Sequence, residues 1–529
     1  MDSRCHGNDT TSPMERQMFL KDHKKTALIH QGREISYAEV IAAAADYAAL
    51  YDLEPGGRAA LFAENRPEWI YAFFSAWRHG GINVPIDHLS AADEVAFILH
   101  DCRPAVVFCS ANTRPVLAEA LADLDPEYKP RIIDFEQTGA PPRARPLPEA
   151  PRGKYDTAVV IYTSGTTGSP KGVMLSYDNL LSNIEAVADT VPIYTRGLRV
   201  LAILPFHHSF PLMGTILAPF YAGATVALLE RISSVDILKA LVDGRITMIL
   251  GVPRLYKLLH KGLMDKINAS ALARALLWVA RAARSRALSR LLFARVHRAF
   301  GGHIEYLISG GAKLDEAVGR DLTAMGFEIL EGYGMTESSP MITFTRPGKV
   351  RIGSAGQAVP GVEIRVVDGQ ITARGRNIMQ GYWNNPEETA AILKDGWLQT
   401  GDQGELDEDG RLFVTGRFKE IIVLSNGKNI NPEEIENRIV RLSPLIKEIG
   451  VYHHQEKLGA VIHPDALAVA AHKIEDLRLY IKTQVLDKFN KTAPIHKQIR
   501  HFTISEQELP KTRLGKLKRF KLSEVGLGA

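Results

Sequence analysis

Cysteine is nearly absent from this chain: Cys5, Cys102 and Cys109 are the only three in 529 residues. Three thiols cannot build a disulfide framework, and their spacing fits no zinc site, so the sequence suits a reducing compartment and predicts no structural disulfide. No apolar core of an export signal is found either, since the first twenty residues carry Asp2, His6, Asp9, Glu15 and Arg16. The longest uncharged run, Val200 to Leu229, exceeds membrane-span length but contains Pro205, Pro211 and Pro219 with His207 and His208. Those prolines would break a spanning helix, and the run is predicted to be strand, loop, helix and strand of a soluble sheet. A cytoplasmic protein is expected.

Charge of one sign is also scarce, with a net of +4, which excludes no partner class by itself. Its distribution says more. Lys488 to Lys521 holds ten Lys/Arg against Glu506 and Glu508, a local +8 that leaves −4 for the remainder. Such a tail can bind nucleic acid or a membrane, or present lysines to a phosphorylated substrate. The last reading is preferred because the chain also carries a phosphate loop, and no nucleic-acid partner is expected. Acids are missing altogether between Lys266 and Ile304, where Arg274, Arg281, Arg284, Arg286, Arg290, Arg295 and Arg298 interleave with Trp278, Leu291, Leu292 and Phe293. A basic amphipathic segment can lie on an anionic membrane. On one continuous 100° wheel these arginines spread widely, so a solvated helical pair stands beside peripheral membrane contact.

What is present is organised around Tyr162 to Val173, YTSGTTGSPKGV. Thr163, Ser164, Gly165, Thr166, Thr167 and Gly168 offer four hydroxyls and two glycines in six residues, with Lys171 just beyond Pro170. Backbone N–H groups and hydroxyls in such a loop can close around phosphate oxygens, because glycine permits close approach and positive φ. An apolar run, Thr157 to Tyr162, precedes it and helix-capping residues follow from Ser176 or Asp178, which predicts strand, loop, then helix. Lys171 is followed by Gly172 rather than Ser or Thr, so this is not a Walker loop. A Ser/Thr/Gly linker is the bland alternative. A flexible linker has no need of the Pro-Lys-Gly ending.

The fold class predicted is α/β. From about Met18 to Leu147, helix-like patterns (Tyr37 to Leu53, Glu68 to Arg78, Ala91 to His100) alternate with strands at Ala59 to Ala63 and Ala105 to Cys109, the pattern of a parallel sheet. Strands near Val200 to Leu204, Thr225 to Leu229, Thr247 to Leu250 and Ile304 to Ile308 continue it, and ligands of such sheets bind at the strands' carboxyl ends. From Gly353 to Arg417 the strands shorten around Asp368-Gly369 and Asp409-Gly410, both hairpin signals, predicting a small antiparallel barrel or sheet. A smaller α+β domain is expected to the end: strand Ile421 to Leu424, helix Pro432 to Leu442, strands Glu448 to His453 and Leu458 to His463, helix Ile474 to Phe489, strand Ile499 to Ile504. The expected divisions are 1–345 (α/β, with the phosphate loop), 346–416 (antiparallel), 417–419 (hinge) and 420–529 (a mobile lid).

The stretch YTSGTTGSPKGV closely resembles the phosphate-binding signature of the adenylate-forming, AMP-binding synthetases, and further motifs follow, at least five in all agreeing with the family's order. Pro205-Phe-His-His-Ser-Phe210 follows a strand, and the resemblance places His208 and Phe210 beside the carboxylate substrate and the α-phosphate. Leu307-Ile-Ser-Gly-Gly-Ala312 ends in a turn, Gly311 and Ala312, where a flat ring can approach the backbone. In Leu330-Glu-Gly-Tyr-Gly-Met-Thr-Glu-Ser-Ser-Pro340, the resemblance implies that Tyr333 stacks on adenine, that Glu331 and Gly332 belong to the nucleotide site, that Thr336 holds the α-phosphate, and that Glu337, with Thr163, binds magnesium. One carboxylate with phosphate oxygens and waters is an ordinary magnesium environment. Asp395-Gly-Trp-Leu-Gln-Thr-Gly-Asp402 would put Asp402 on the ribose, Gly416-Arg-Phe-Lys-Glu supplies Arg417 as a second contact, and Lys419 falls at the hinge. Ser425-Asn-Gly-Lys-Asn-Ile-Asn-Pro432, with Gly427, could line a thiol channel. Lys516, in Leu509-Pro-Lys-Thr-Arg-Leu-Gly-Lys516, matches the family's catalytic lysine, although a lysine on such a tail is usually just solvated.

The resemblance implies an acid–thiol ligase using ATP, Mg2+ and CoA, most like the long-chain fatty-acid–CoA ligases, which tend to carry a helical insertion where Lys266 to Ile304 lies. Val423 stands where luciferases have a second lysine, which disfavours light emission. The chain ends thirteen residues after Lys516 without a carrier-protein domain, which disfavours a peptide-synthetase module. Two other readings stay open: a ligase that loads a free-standing acyl-carrier protein, and a non-catalytic, membrane-associated binder of acyl groups or nucleotides. Lys171, Glu337 and Lys516 together argue against the last.

Overall fold

The β-branched runs of the first half become the strands of two sheets, because each is apolar on both faces and needs helices on either side to cover it. The computed structural model describes residues 24–138, 153–164, 170–229, 233–420, 422–423, 429–454, 457–472, 474–511 and 517–527. The chain divides into two units: Met1–Arg365 with Thr372–Thr400 and Leu406–Phe413, and Val366–Ile371 with Gly401–Glu405 and Val414–Ala529.

In the first unit, a seven-stranded sheet runs in the order Gly381–Tyr382, Pro170–Ser176, Thr157–Ser164, Ile82–Ile86, Arg58–Phe62, Val106–Cys109 and Arg131–Asp134. A nine-stranded sheet has Tyr306–Ser309, Met248–Gly251, Arg199–Ala202 and Thr225–Leu228 as parallel inner strands. Glu328–Gly334 lies parallel to Tyr306–Ser309 and antiparallel to Met341–Phe344. One large core spans both sheets. Helix Pro67–Arg78 buries Trp69, Phe73 and Trp77 in it, with Trp69 5.3 Å from Phe206, and the Tyr37 hydroxyl donates to the Ala224 carbonyl at 2.6 Å.

The phosphate loop departs from the expected order. Thr157–Ser164 and Pro170–Ser176 form an antiparallel pair with Thr163 opposite Lys171, and only then does helix Tyr177–Glu185 begin, capped by Ser176. The order is strand, loop, strand, helix. Val173 and Leu175 alternate with Met174 and are fully buried, so this segment completes the sheet before the cap residues turn the chain.

The antiparallel region forms a five-stranded sheet in the order Val362–Val367, Gln370–Gly375, Trp397–Leu406, Leu393–Lys394, with Leu412–Arg417 also on Trp397–Leu406. Asp368 (φ 51°) and Gly369 (φ 79°) make its hairpin turn. In the second unit, Ile446–His454, Lys457–Pro464 and Ile499–Ile504 form a three-stranded sheet packed on helix Pro432–Val440. The expected single helix from Ile474 to Phe489 is Leu477–Tyr480, a wider π turn over Ile481–Leu486, and Asp487–Thr492.

Candidate active site

Adenylation needs a polar, mostly buried end of a sheet where hydroxyls, a carboxylate and a cation meet, and the first unit has one at the carboxyl ends of its strands. Strand Glu328–Gly334 leads into a short 3-10 turn, Thr336–Ser338. Met335 N–H donates to the Ser338 hydroxyl at 3.1 Å, and that hydroxyl donates to the Pro340 carbonyl at 2.8 Å. A Cβ on Gly334 would lie 1.8 Å from the Pro340 carbonyl oxygen, so only glycine fits there. Asn377 donates to the Ser338 and Met341 carbonyls at 3.2 and 2.8 Å. Thr336 and Glu337 therefore sit on a turn fixed from both sides.

Glu337 is buried and accepts the Tyr382 hydroxyl at 2.7 Å. Burial first, and then the Glu337 charge, push the Tyr382 phenol far above its ordinary range, so it stays a proton donor. The Lys171 ammonium lies over the Tyr382 ring at 5.5 Å and pairs with Glu388 at 2.6 Å. Thr163, Lys171, Tyr382, Glu388 and Glu337 thus form one continuous polar corner, with the Thr163 hydroxyl 3.5 Å from the Lys171 carbonyl. A Cβ on Gly172 would meet Val160, Tyr162 and Trp383 at 2.9, 3.0 and 3.2 Å. This close packing is why glycine follows Lys171.

The Thr336 hydroxyl is 3.1 Å from the Ser209 hydroxyl, which brings the histidine loop to the same turn. Asn65 fixes that loop: its amide donates to the Leu204 carbonyl at 2.8 Å and accepts Phe206 N–H at 3.0 Å. The His207 and His208 rings are 4.1 Å apart, and His207 Nε2 is 3.2 Å from Asp87 Oδ2. Burial pushes both imidazoles down to about 3, so both are neutral near pH 7. Phe210 lies flat on Gly310, where a Cβ would stand 2.8 Å from its ring, and Gly311 takes φ +81°.

Tyr333 pairs with Thr343 across the sheet, and Gly332 faces Phe344, which a Cβ would approach to 3.0 Å. Ala312 lies in the bend after Gly311 and is exposed. The Glu331 side chain turns elsewhere than Glu337: it meets the Leu314 and Gly353 backbone N–H groups, and burial raises it to about 7. In the second unit, Gly401 (φ +70°) leads into Asp402, which is buried and holds Arg417 Nε at 2.7 Å. Lys419 falls in the 3-10 turn Phe418–Glu420, and Ser164 ends its strand. Gly165, Thr166, Thr167, Gly168, Gly427 and Lys516 lie outside the described residues.

Tyr382, Glu388, Asp87, His207, Asn65 and Asn377 are members of this site that sequence reasoning missed. Asn65 falls in the segment Glu64 to Ile70, outside the motifs that the sequence marks. His207 stands inside the Pro205 to Phe210 motif, beside the histidine that the resemblance marks, and nothing in the motif spacing marks the remaining four. The oxygen donors of Glu337, Thr336 and Thr163 are of the hard kind magnesium prefers, and Glu337 accepts the Tyr382 hydroxyl, so the residues fit that ion.

Residues 15–383 match the AMP-binding enzyme family and residues 419–524 match the AMP-binding enzyme C-terminal domain. A long-chain-fatty-acid–CoA ligase of Mycobacterium bovis is 31% identical over 80% of this chain and 75% of its own. An indoleacetate–CoA ligase of Aromatoleum aromaticum is 29% identical, covering 94% of both chains. The crystal structure of ATP-bound MatB from Rhodopseudomonas palustris superposes with a TM-score of 0.79 at 27% identity, over 96% of this chain and 98% of that one. No helix among the described residues is long and apolar enough to cross a membrane.

Proposed function

The chain belongs to the AMP-binding enzyme family and is an AMP-forming acid–CoA ligase that uses ATP, Mg2+ and CoA; from that premise we propose that its acid is a medium- or long-chain fatty acid. The observation that carries the acid class is the similarity to a long-chain-fatty-acid–CoA ligase at 31% identity over most of the chain. The apolar contact of Phe210 with Gly310, beside the Ser209–Thr336 pair, supplies a hydrophobic wall next to the reacting groups.

The reaction has two steps. A carboxylate oxygen of the acid attacks the α-phosphorus of ATP, the bond from that phosphorus to the bridging oxygen breaks, and pyrophosphate leaves. The CoA sulfur then attacks the acyl carbon of the acyl-AMP, AMP leaves, and the thiol proton passes to solvent. In the first step an anion approaches a polyanion, and two unit charges about 4 Å apart repel by roughly 4 kcal/mol at an effective dielectric near 20. Lys171, Lys516 and the hydroxyls and N–H groups of Thr163 to Gly168 offset this repulsion, as donors aimed at a developing charge do in such reactions.

Thr336 donates to the α-phosphate, and Glu337 with Thr163 holds magnesium, which neutralises phosphate charge when bound. His208, neutral at working pH, orients the acid through a ring N–H without adding a second anion partner. Phe210 borders the acyl chain. Gly311, Ala312, Gly332 and Tyr333 frame the adenine, Asp402 and Arg417 the ribose, and Glu331, protonated up to about pH 7, supports the strand that carries Tyr333. Gly427 borders the thiol's path and Lys419 serves as the hinge between the half-reactions.

A panel of fatty and aryl acids with ATP and either CoA or acyl-carrier protein, with products identified by mass spectrometry, tests the proposal. Fatty acyl-CoA of eight carbons or more as the main product is expected. Aryl-CoA alone, or acyl-carrier-protein thioester alone, overturns the assignment.

A further inference from the structure

Adenylation and thioester formation make no use of one large part of the fold, the helical block between strands Met248–Gly251 and Tyr306–Ser309. It consists of Pro253–Asn268, Ala271–Ala283, Arg286–Leu292 and Ala294–Ala299. Its inner side is an ordinary core, with Tyr256, Ile267, Leu277, Ala280, Phe293 and Phe300 buried. Its outer side is not ordinary. Leu258, Leu272, Trp278 and Leu291 are 62%, 70%, 71% and 72% exposed, and Val279 is 40% exposed. An exposed tryptophan on a helix with no acidic residue marks an interaction surface rather than a solvated face.

The fold also reveals an arrangement that a single wheel hides. The segment breaks at Arg284, which takes φ 49°, so each helix has its own phase. On Ala271–Ala283 alone, the buried arc is Leu277, Ala280 and their half-buried neighbours Ala273 and Leu276. The exposed arc then runs through Trp278, Ala271, Ala282, Ala275, Val279, Leu272 and Ala283 at 100° spacing, with Arg274 and Arg281 together at one edge. An apolar face flanked by arginine is the pattern of a helix lying in a bilayer interface.

Charge supports the same partner. Arg281 pairs with Asp321 at 2.5 Å and Arg286 pairs with Glu328, both acids from outside the block. Arg274, Arg284, Arg290, Arg295 and Arg298 pair with no carboxylate among the described residues, and from Lys266 onward the block itself supplies none. Guanidinium groups without counter-ions beside exposed apolar side chains complement lipid phosphates and acyl chains together, which an apolar protein face would not.

We propose that this block docks the enzyme on an anionic lipid bilayer, with Trp278, Leu272 and Val279 entering the interface and Arg274, Arg284 and Arg295 meeting the headgroup phosphates. Its use rests on the fatty-acid reading, because long-chain acids reside in bilayers. The block leaves the sheet at Val252, whose side chain is 3.7 Å from where Gly311 would carry a Cβ, so it is continuous with the turn assigned to the adenine.

The test is flotation of the full chain, without ATP or acid, on vesicles of phosphatidylcholine with about one-third phosphatidylglycerol, against vesicles of phosphatidylcholine alone. Binding to the anionic vesicles only, weakened by high salt, is expected. Each basic residue at such a surface is worth about a fivefold change in partition, so Arg284→Gln with Arg295→Gln should lower it by about tenfold or more. Trp278→Ser should lose binding while activity on a short soluble acid stays within about twofold. No flotation, equal flotation on both vesicles, or a dimer in sedimentation that Trp278→Ser dissociates would each overturn the proposal. Failure here leaves the acid panel untouched. An aryl-only panel leaves docking standing without this use.

Discussion

Tyr382 donates its hydroxyl to the buried carboxylate of Glu337 at 2.7 Å, and Lys171 lies over the same phenol ring. A tyrosine from a two-residue edge strand thus joins the phosphate-loop lysine to the carboxylate proposed to hold magnesium.

Tyr382→Phe should therefore weaken magnesium binding without unfolding the protein. Partners that orient a metal ligand typically contribute about 10–100-fold in affinity or activity, so the magnesium needed for half-maximal ATP–pyrophosphate exchange should rise by that factor. An unchanged magnesium titration would sink the role given to Tyr382.

Lys516→Ala should lower acyl-AMP formation by about 10²–10³, the usual effect of removing one oriented donor at a developing charge. Pyrophosphate exchange reads this step alone. Lys419→Pro should spare exchange and impair thioester formation, and equal loss in both half-reactions would count against a hinge there.

Gly334→Ala places a Cβ against the Pro340 carbonyl, and backbone atoms cannot rotate away. The turn carrying Thr336 and Glu337 must shift, so the expected outcome is folded protein with exchange activity reduced at least about tenfold, since an ångström of misplacement can cost about 10²-fold. Normal activity in a folded variant would refute the fit.

Acid should destabilise the enzyme through its histidines. His207 and His208 titrate near 3 when folded and near 6.5 when unfolded, so the unfolded chain binds more protons as pH falls through about 6.5, and stability declines from there toward 3. Glu331 has the opposite sign: it titrates near 7 when folded, so its buried carboxyl is favourable when protonated and costs stability as pH rises through about 4.5 to 7. Glu331→Gln should raise Tm at about pH 8 more than at about pH 5, measured by calorimetry. A larger gain at the lower pH would contradict the burial of this carboxyl.

By itself, the sequence determined the alternation of strands and helices, since Val106 to Cys109 or Met248 to Gly251 can be little else than strands covered on both faces. It also carried the motifs, because Thr163 to Lys171 and Leu330 to Pro340 are local and their chemistry lies in adjacent residues. It misled where a local cue had two meanings. The residues after the phosphate loop cap a helix, but Val173 and Leu175 first complete a sheet, which depends on the neighbouring strand.

Only tertiary structure decided which distant side chains share a charge or a hydrogen bond. Glu337 meets Tyr382 across 45 positions, and His207 meets Asp87 from another loop. The same holds for the arginine-rich block, whose break at Arg284 resets the helical phase and leaves helix Ala271–Ala283 with an exposed apolar arc of its own. Periodicity records where a residue stands on its own helix. Which partner that face meets is set by the packing of elements far apart in the chain.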